Sequence, residues 1–138
     1  MKSKTLFFLV TVLIISCQPG VFPVDSYAGV YQAVFKVSNS NGSSDGSGYI
    51  NIKPKGANEI QIVVGPFAPT DFDFTTTVQK DGSFSFGPKE YKGFLGGTYT
   101  ASSIGKLKDG KVTISITSET IGNGTTERQT ITCSGVKQ

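Results

Sequence analysis

Residue types that support catalysis or metal binding are sparse in this sequence. The clearest candidates are Asp71 and Asp73, which alternate with phenylalanines and so share one face of an extended segment. Two carboxylates could bind calcium or transfer protons, but calcium takes about six to eight oxygen ligands and no further acids converge nearby in sequence. We therefore interpret the two aspartates as part of a solvated strand face.

Histidine is absent, which excludes Ser-His-Asp and Cys-His catalysis and zinc sites with the usual ligands. The glycine-rich segment Asp45-Gly46-Ser47-Gly48 is not followed by a predicted helix, as a phosphate-binding loop requires. The sequence therefore predicts no catalytic residues, no metal ligands and no cofactor, and it indicates a protein that is not an enzyme.

The N-terminus carries the most specific signal in the chain. Lys2 and Lys4 precede an almost wholly apolar run, Leu6 to Ile15, and no acidic residue occurs before Asp25. A basic start followed by a short apolar run is typical of a signal peptide. The run is too short to span a bilayer as a helix, which takes about 20 apolar residues.

The run ends in Ile14-Ile15-Ser16-Cys17, which resembles the lipobox of bacterial lipoproteins, where aliphatic or small residues precede an obligatory cysteine. This resemblance implies a signal peptide over residues 1–16, cleavage before Cys17, and acyl chains on its sulfur and its new amino group. It also implies attachment to a bacterial envelope membrane, with the outer membrane expected, on its periplasmic or surface face. An ordinary signal peptide followed by an incidental cysteine is the alternative.

Cleavage there would leave 122 residues with 11 Lys plus Arg and 10 Asp plus Glu, which is enough for one domain and gives a formal charge of +1. Such a balance does not favour a nucleic-acid partner. We expect the lipidated cysteine and a tether over residues 17–26, and one domain over residues 27–138. With Cys17 acylated, Cys133 has no disulfide partner in the chain, and we expect it to be a buried apolar side chain.

From Tyr27 onward about eight short runs alternate apolar and polar residues, and turn residues separate most of them. In residues 71–78 the phenylalanines share a face with Thr76 and Val78. Eight such strands in succession predict an all-β, eight-stranded antiparallel up-and-down barrel, with a two-sheet sandwich as the alternative. Six aromatic residues are predicted to fill the interior: Tyr31, Phe35, Phe72, Phe74, Phe84 and Phe86.

The first strand begins with Ala28-Gly29-Val30-Tyr31, and the eight-strand pattern continues to the C-terminus. In this the chain resembles the small lipocalin-like (calycin-type) domains of bacterial lipoproteins. Lipocalins have tryptophan where Tyr31 stands, and an arginine late in the last strand packs over that ring. The only arginine here, Arg128, is early in the last predicted strand. The resemblance implies a barrel that could carry a small apolar ligand.

In a meander the even-numbered connections lie at one end, here named the basal end, and the odd-numbered ones at the other, the loop end. The even connections are short, whereas the odd ones, among them 39–46, 65–70 and 87–97, are mostly longer. Lysines gather at the basal end, where they could meet anionic lipid head groups, but we favour the interpretation that they are solvated turn residues. Four apolar residues lie outside the strand pattern in the longer connections and are the candidate binding residues: Phe67, Tyr91, Phe94 and Leu95.

These four residues either face a partner or fold inward and plug the barrel. The sequence thus favours a membrane-anchored, non-enzymatic binding module that uses its loop end, with an envelope protein or a small apolar molecule as partner. A lipocalin-like carrier of a small apolar ligand is the alternative, and a lipoprotein with a filled barrel is a third hypothesis.

Overall fold

The computed structural model describes residues 21–66, 71–92, 97–122 and 125–138, with only the backbone of residues 121, 122, 125 and 126. A short 3-10 helix, Val24–Tyr27, precedes the strands. The strands are β1 (Gly29–Asn39), β2 (Gly42–Pro54), β3 (Glu59–Gly65), β4 (Phe72–Thr77), β5 (Ser83–Lys92), β6 (Thr98–Lys108), β7 (Lys111–Gly122) and β8 (Thr125–Lys137).

The strands form one antiparallel sheet in the order β4-β3-β2-β1-β8-β7-β6-β5. The first and last strands therefore pair, with Phe35 opposite Cys133. Every other neighbouring pair joins strands that are consecutive in sequence, which is an up-and-down meander. The predicted eight-stranded barrel is confirmed, and the sandwich is not formed.

The barrel is nearly closed, and its open seam lies between β4 and β5. Among the described residues the backbone pairing there is reduced to one bridge, between Val78 and Phe84 near the basal end. Side chains hold the rest of the seam. The Thr76 hydroxyl donates to the carbonyl oxygen of Ser85 at 2.6 Å, and the Phe74 and Phe86 rings lie 4.9 Å apart.

The barrel interior is packed with the side chains that the alternating pattern assigns to it. In β4 each phenylalanine is buried and the aspartate between them is exposed. Five of the six predicted interior aromatics are at most 5% exposed, and Phe86 is partly buried against them. Because burying one large apolar side chain contributes about 1.5–3 kcal/mol, this core is the main stabilising feature of the fold. Glycine makes room where rings cross a strand, since a Cβ at Gly105 would collide with Phe84.

The connections lie at the two ends as the meander predicts. Residues 55–58, 78–82 and 109–110 are at the basal end, where Asp109 and Gly110 form a two-residue turn with φ of 52° and 70°. The loop end is tighter than expected. β1 and β2 pair as far as Asn39 and Gly42, so the expected loop 39–46 is mostly strand, because small polar residues can continue a ladder at a sheet end. Likewise β5 continues through a bulge to Lys92, within the expected loop 87–97.

The described part of the expected tether packs against the basal end. Val24 is 2% exposed, the Phe22 ring stacks on Tyr27 with centroids 5.3 Å apart, and the same ring lies against Gly82 in the β4–β5 turn. Gly82 has a φ of 82°, which favours glycine. Residues 22–27 therefore cover the base of the barrel core.

Tyr31 and Lys137 tie the segment before β1 to the barrel. Tyr31 is fully buried and its hydroxyl donates to the Tyr27 carbonyl oxygen at 2.8 Å. Lys137, opposite Tyr31 in the β1–β8 register, donates from Nζ to the Ser26 carbonyl oxygen at 3.0 Å. Arg128 lies near the other end of β8 and pairs with Glu119 at 2.7 Å.

Candidate functional site

Of the four candidate binding residues, Tyr91 alone lies among the described residues. Phe67, Phe94 and Leu95 lie outside them, as does Cys17, so their roles stay predictions. In the part of the chain that the structure describes, no helix has the length and apolar character needed to cross a membrane.

Tyr91 belongs to a group of three rings at the loop end, here named the tyrosine cluster: Phe72, Tyr91 and Tyr99. The two tyrosine rings stack with centroids 5.5 Å apart and planes at 15°. The buried Phe72 ring meets both at an edge, at 5.6 Å and 6.2 Å. Both tyrosines are half-buried, so each has one side packed on the core and the other at the surface. Tyr91 thus folds partly inward without being fully covered.

Strands β5 and β6 position this cluster. Tyr91 and Tyr99 are opposite each other in the β5–β6 register, beyond the bulge between Phe86 and Lys89. The extra residue in the bulge shifts the alternation of β5, so the side chain at position 91 faces inward instead of outward. Position 91 lies where the sequence indicates a loop. Sequence reasoning missed Tyr99, although it alternates with exposed threonines in β6 and shares the inward face with Ala101 and Leu107.

Polar contacts fix Tyr91 across the seam. Its hydroxyl donates to the Asp73 carbonyl oxygen at 3.2 Å, so a β5 side chain bonds to the β4 backbone across the seam. Lys89 Nζ lies 3.4 Å from the same oxygen and 5.3 Å from the centroid of the Tyr91 ring. The cluster therefore links the two strands at the loop-end half of the seam.

Both tyrosines remain protonated at neutral pH. Burial, with smaller effects of Tyr99 and Asp73, raises the pKa of Tyr91 to about 12, and burial likewise raises the pKa of Tyr99. Each ring therefore presents an uncharged phenol, with an apolar face for stacking and a hydroxyl for hydrogen bonding.

A hydroxyl without a partner lies deeper on the same inner face of β6. Ser103 is 5% exposed, and its Oγ has no hydrogen-bond partner among the described residues. It lies between Phe86 and Ile116 in the sheet register, one inward position below Ala101. An unsatisfied buried hydroxyl costs about 1–3 kcal/mol, which a hydrogen-bonding ligand atom that reached Ser103 would recover.

The two aspartates singled out by sequence do not converge. Asp71 accepts a hydrogen bond from the Tyr49 hydroxyl, whereas Asp73 accepts from Gln61 Nε2 at 2.9 Å and 3.1 Å. No group of three potential metal-binding residues occurs within the described ranges. Asp73 is exposed, as a solvated strand face requires, while Asp71 is partly buried.

Cys133 is buried against β1 and β7, as the sequence predicts. Burial raises the pKa of its thiol to about 12, so the reactive thiolate is scarce at neutral pH. This cysteine is therefore a packing residue.

A groove of about 540 Å³ crosses the outer face of β5–β8. Hydroxyls of Ser85, Thr113, Ser115 and Thr132 surround the exposed Ile104 there. Lys106 is the one charged residue among the described lining residues, and it pairs with Asp81 at 3.2 Å. With no stacked rings or free charge to orient a ligand, the groove is a weaker candidate than the tyrosine cluster.

Comparisons with known proteins give no match to a protein-family model, to a curated protein or to a solved structure.

Proposed function

We propose that this chain is a membrane-anchored bacterial lipoprotein with a lipocalin-like domain, which binds a partner without catalysis through the loop end of its barrel. The lipobox-like sequence ending at Cys17 supports the anchor. The absence of histidine from the sequence and the separate hydrogen bonds of Asp71 and Asp73 support a non-enzymatic role.

The tyrosine cluster is the observation that carries the binding role. Tyr91 and Tyr99 each combine a rigid apolar ring with a neutral hydroxyl, and both reach the surface beside the longer connections 66–71 and 93–97. Tyrosine is enriched in binding surfaces because it supplies large contact area at a low cost in conformational entropy. Phe67, Phe94 and Leu95 belong to those two connections, outside the described residues, and stay predicted binding residues.

Photo-crosslinking in the producing cell tests this role. A photoreactive phenylalanine analogue at Lys92, beside the cluster, is expected to capture a discrete adduct, whereas the same analogue at Lys108, at the basal end, does not capture that adduct. A double Tyr91→Leu, Tyr99→Leu change is expected to remove it. Equal capture from both ends, or an adduct that survives the double change, would contradict the proposal.

Acylation is tested separately by mass spectrometry of protein extracted from membranes, which should reveal an acylated Cys17. A soluble form that begins at another residue, or unchanged membrane retention of Cys17→Ala, would exclude the anchor.

A carrier of a small apolar ligand is the second candidate, and Ser103 favours it. Its hydroxyl has no partner among the described residues and lies on the inner face of β6, below Tyr99, where a ligand that displaces the packing at the loop end could form one hydrogen bond. Native mass spectrometry of gently purified protein is expected to detect a retained small molecule if this role is correct, with weaker retention in Ser103→Val. If the measured mass equals that of the protein without any ligand, the carrier role is excluded and the partner-binding role remains.

A further inference from the structure

The charged side chains of the barrel are segregated between its two ends. The basal end carries seven lysines against four carboxylates, a formal +3, whereas the loop end carries four cations against six carboxylates, a formal −2. The basal charges are Lys53, Lys55, Lys80, Lys106, Lys108, Lys111 and Lys137 with Asp25, Glu59, Asp81 and Asp109. The loop-end charges are Lys36, Lys89, Lys92 and Arg128 with Asp45, Asp71, Asp73, Glu90, Glu119 and Glu127.

From sequence alone these lysines are ordinary solvated turn residues, but the register gives two of them an unfavourable arrangement. Lys108 and Lys111 are directly opposite each other in the β6–β7 hairpin, and like charges at such positions destabilise a sheet. Among the described residues neither has an ion pair, although Lys106 on the same strand pairs with Asp81. The fold itself gains nothing from this lysine pair.

The chain enters the barrel at this same basic end. Phe22 packs beside Gly82, Val24 is buried at the base, and Val21, just before them, is 62% exposed. Cys17 is four residues before Val21. Four residues span at most roughly 14 Å. An acyl anchor at Cys17 would therefore hold Val21, and with it the basal end, within roughly two Debye lengths of the bilayer, since the Debye length is about 8 Å in physiological salt.

We infer that the basal end is a docking face for the anionic surface of the membrane that holds the anchor. Its basic side chains, with Lys80, Lys108 and Lys111 foremost, face lipid phosphates, and the exposed Val21 lies at the head-group boundary. The acidic loop end then points away from the bilayer, where the tyrosine cluster is free to meet a partner. This inference rests on the proposed anchor and adds an orientation to it.

A test that does not need the anchor uses the chain without residues 1–16 and with Cys17→Ser, which retains every described strand. Co-sedimentation is measured with vesicles of phosphatidylcholine alone and with one-third phosphatidylglycerol. We expect binding to the anionic vesicles only, and loss of binding when the ionic strength rises from about 0.1 M to about 1 M, because the Debye length falls from about 10 Å to about 3 Å.

A matched pair of variants locates the face. Lys108→Gln with Lys111→Gln is expected to weaken partitioning about thirtyfold, since each lysine near an anionic surface contributes about 1 kcal/mol, or a factor of about five. Lys36→Gln with Lys92→Gln removes the same charge from the loop end and is expected to change partitioning less than about threefold. Urea unfolding checks that the first variant folds, and relief of the lysine pair should leave its midpoint equal or higher.

Equal losses from the two variants, or no dependence on phosphatidylglycerol, would overturn the docking face. Because the assay uses an unacylated chain, such a result leaves the anchor to be judged by mass spectrometry of Cys17. Conversely, mass spectrometry of the cellular protein could find no acyl chain on Cys17 while the vesicle assay shows binding through Lys108 and Lys111. That result would retain the docking face and exclude the proposed anchor.

Discussion

Replacing Tyr91 by serine tests whether the tyrosine cluster holds the loop end of the barrel together. The change removes a half-buried ring, its stacked contact with Tyr99, its edge contact with Phe72 and its hydrogen bond to Asp73. Half of the burial of a large apolar side chain is about 1 kcal/mol, and each aromatic contact adds about 0.5–1.5 kcal/mol. The hydrogen bond adds little further, because water replaces it at the exposed end of the ring.

The free energy of unfolding is therefore expected to fall by about 2–4 kcal/mol in Tyr91→Ser. This is below the upper end of the range for fully buried aromatic rings, about 3–5 kcal/mol, because one side of the Tyr91 ring stays at the surface. Tyr91→Phe keeps the rings together and loses only the hydroxyl, so its expected cost is at most about 1.5 kcal/mol.

Equilibrium urea unfolding, followed by far-ultraviolet circular dichroism and by tyrosine fluorescence, measures these differences. The chain has five tyrosines and no tryptophan, so the fluorescence reports on this residue type. Lys92→Ser, at the neighbouring exposed position, is the control and should stay within about 0.5 kcal/mol of the unchanged protein. A Tyr91→Ser protein as stable as that control would refute the packing role, and the ring would then be free for a partner alone.

Three further outcomes are expected. Cys133 should not react with a thiol reagent in the folded protein at pH 8, because burial raises its pKa to about 12, and it should react fully once urea unfolds the chain; rapid labelling in the native state would show that the thiol is accessible. Hydrogen bonds from Ser83 and Lys106 lower the pKa of Asp81 from its ordinary value to about 2. The stabilising effect of the Asp81 carboxylate is therefore complete at a pH above its ordinary pKa and declines as the pH falls toward 2. Asp81→Asn should flatten that part of the profile of stability against pH, and an unchanged profile would show that these hydrogen bonds contribute nothing. Ser103→Ala should raise the urea midpoint or leave it unchanged, because it removes an unsatisfied buried hydroxyl, and a lower midpoint would reveal a partner for that group.

Much of the barrel could be predicted because strand alternation is a local property. In β4 the side chains of Phe72 and Phe74 must face opposite to Asp73, whatever the rest of the chain does, since successive residues of a strand point to opposite faces. Turn chemistry such as Asp109-Gly110 is equally local, because φ above zero is needed at both positions of that turn. The number of strands and the parity of their connections followed from these signals.

How far two strands pair is not visible in the alternation within either strand, and there the prediction from sequence was incomplete. Small polar residues such as Ser43 and Ser44 resemble a loop, yet β1 supplies a partner for them across the hairpin. The bulge in β5 interrupts the alternation after Phe86, so Tyr91 resembles a loop residue although β6 pairs with it. Tyr99 could not be identified as a candidate binding residue from sequence, because its stacking with Tyr91 depends on the β5–β6 register.

The sequence by itself determined an all-β meander, its buried aromatic residues and the absence of a histidine-based site, since each depends on residue type or on the two-residue period of a strand. The lipobox-like segment is likewise a property of sequence, and its role is a proposal. Only the tertiary structure decided where the barrel stays open, which tyrosines meet across strands β5 and β6, and that the basic and acidic side chains lie at opposite ends. These features depend on register and closure, which bring together residues such as Lys137 and Ser26 that are far apart in the chain.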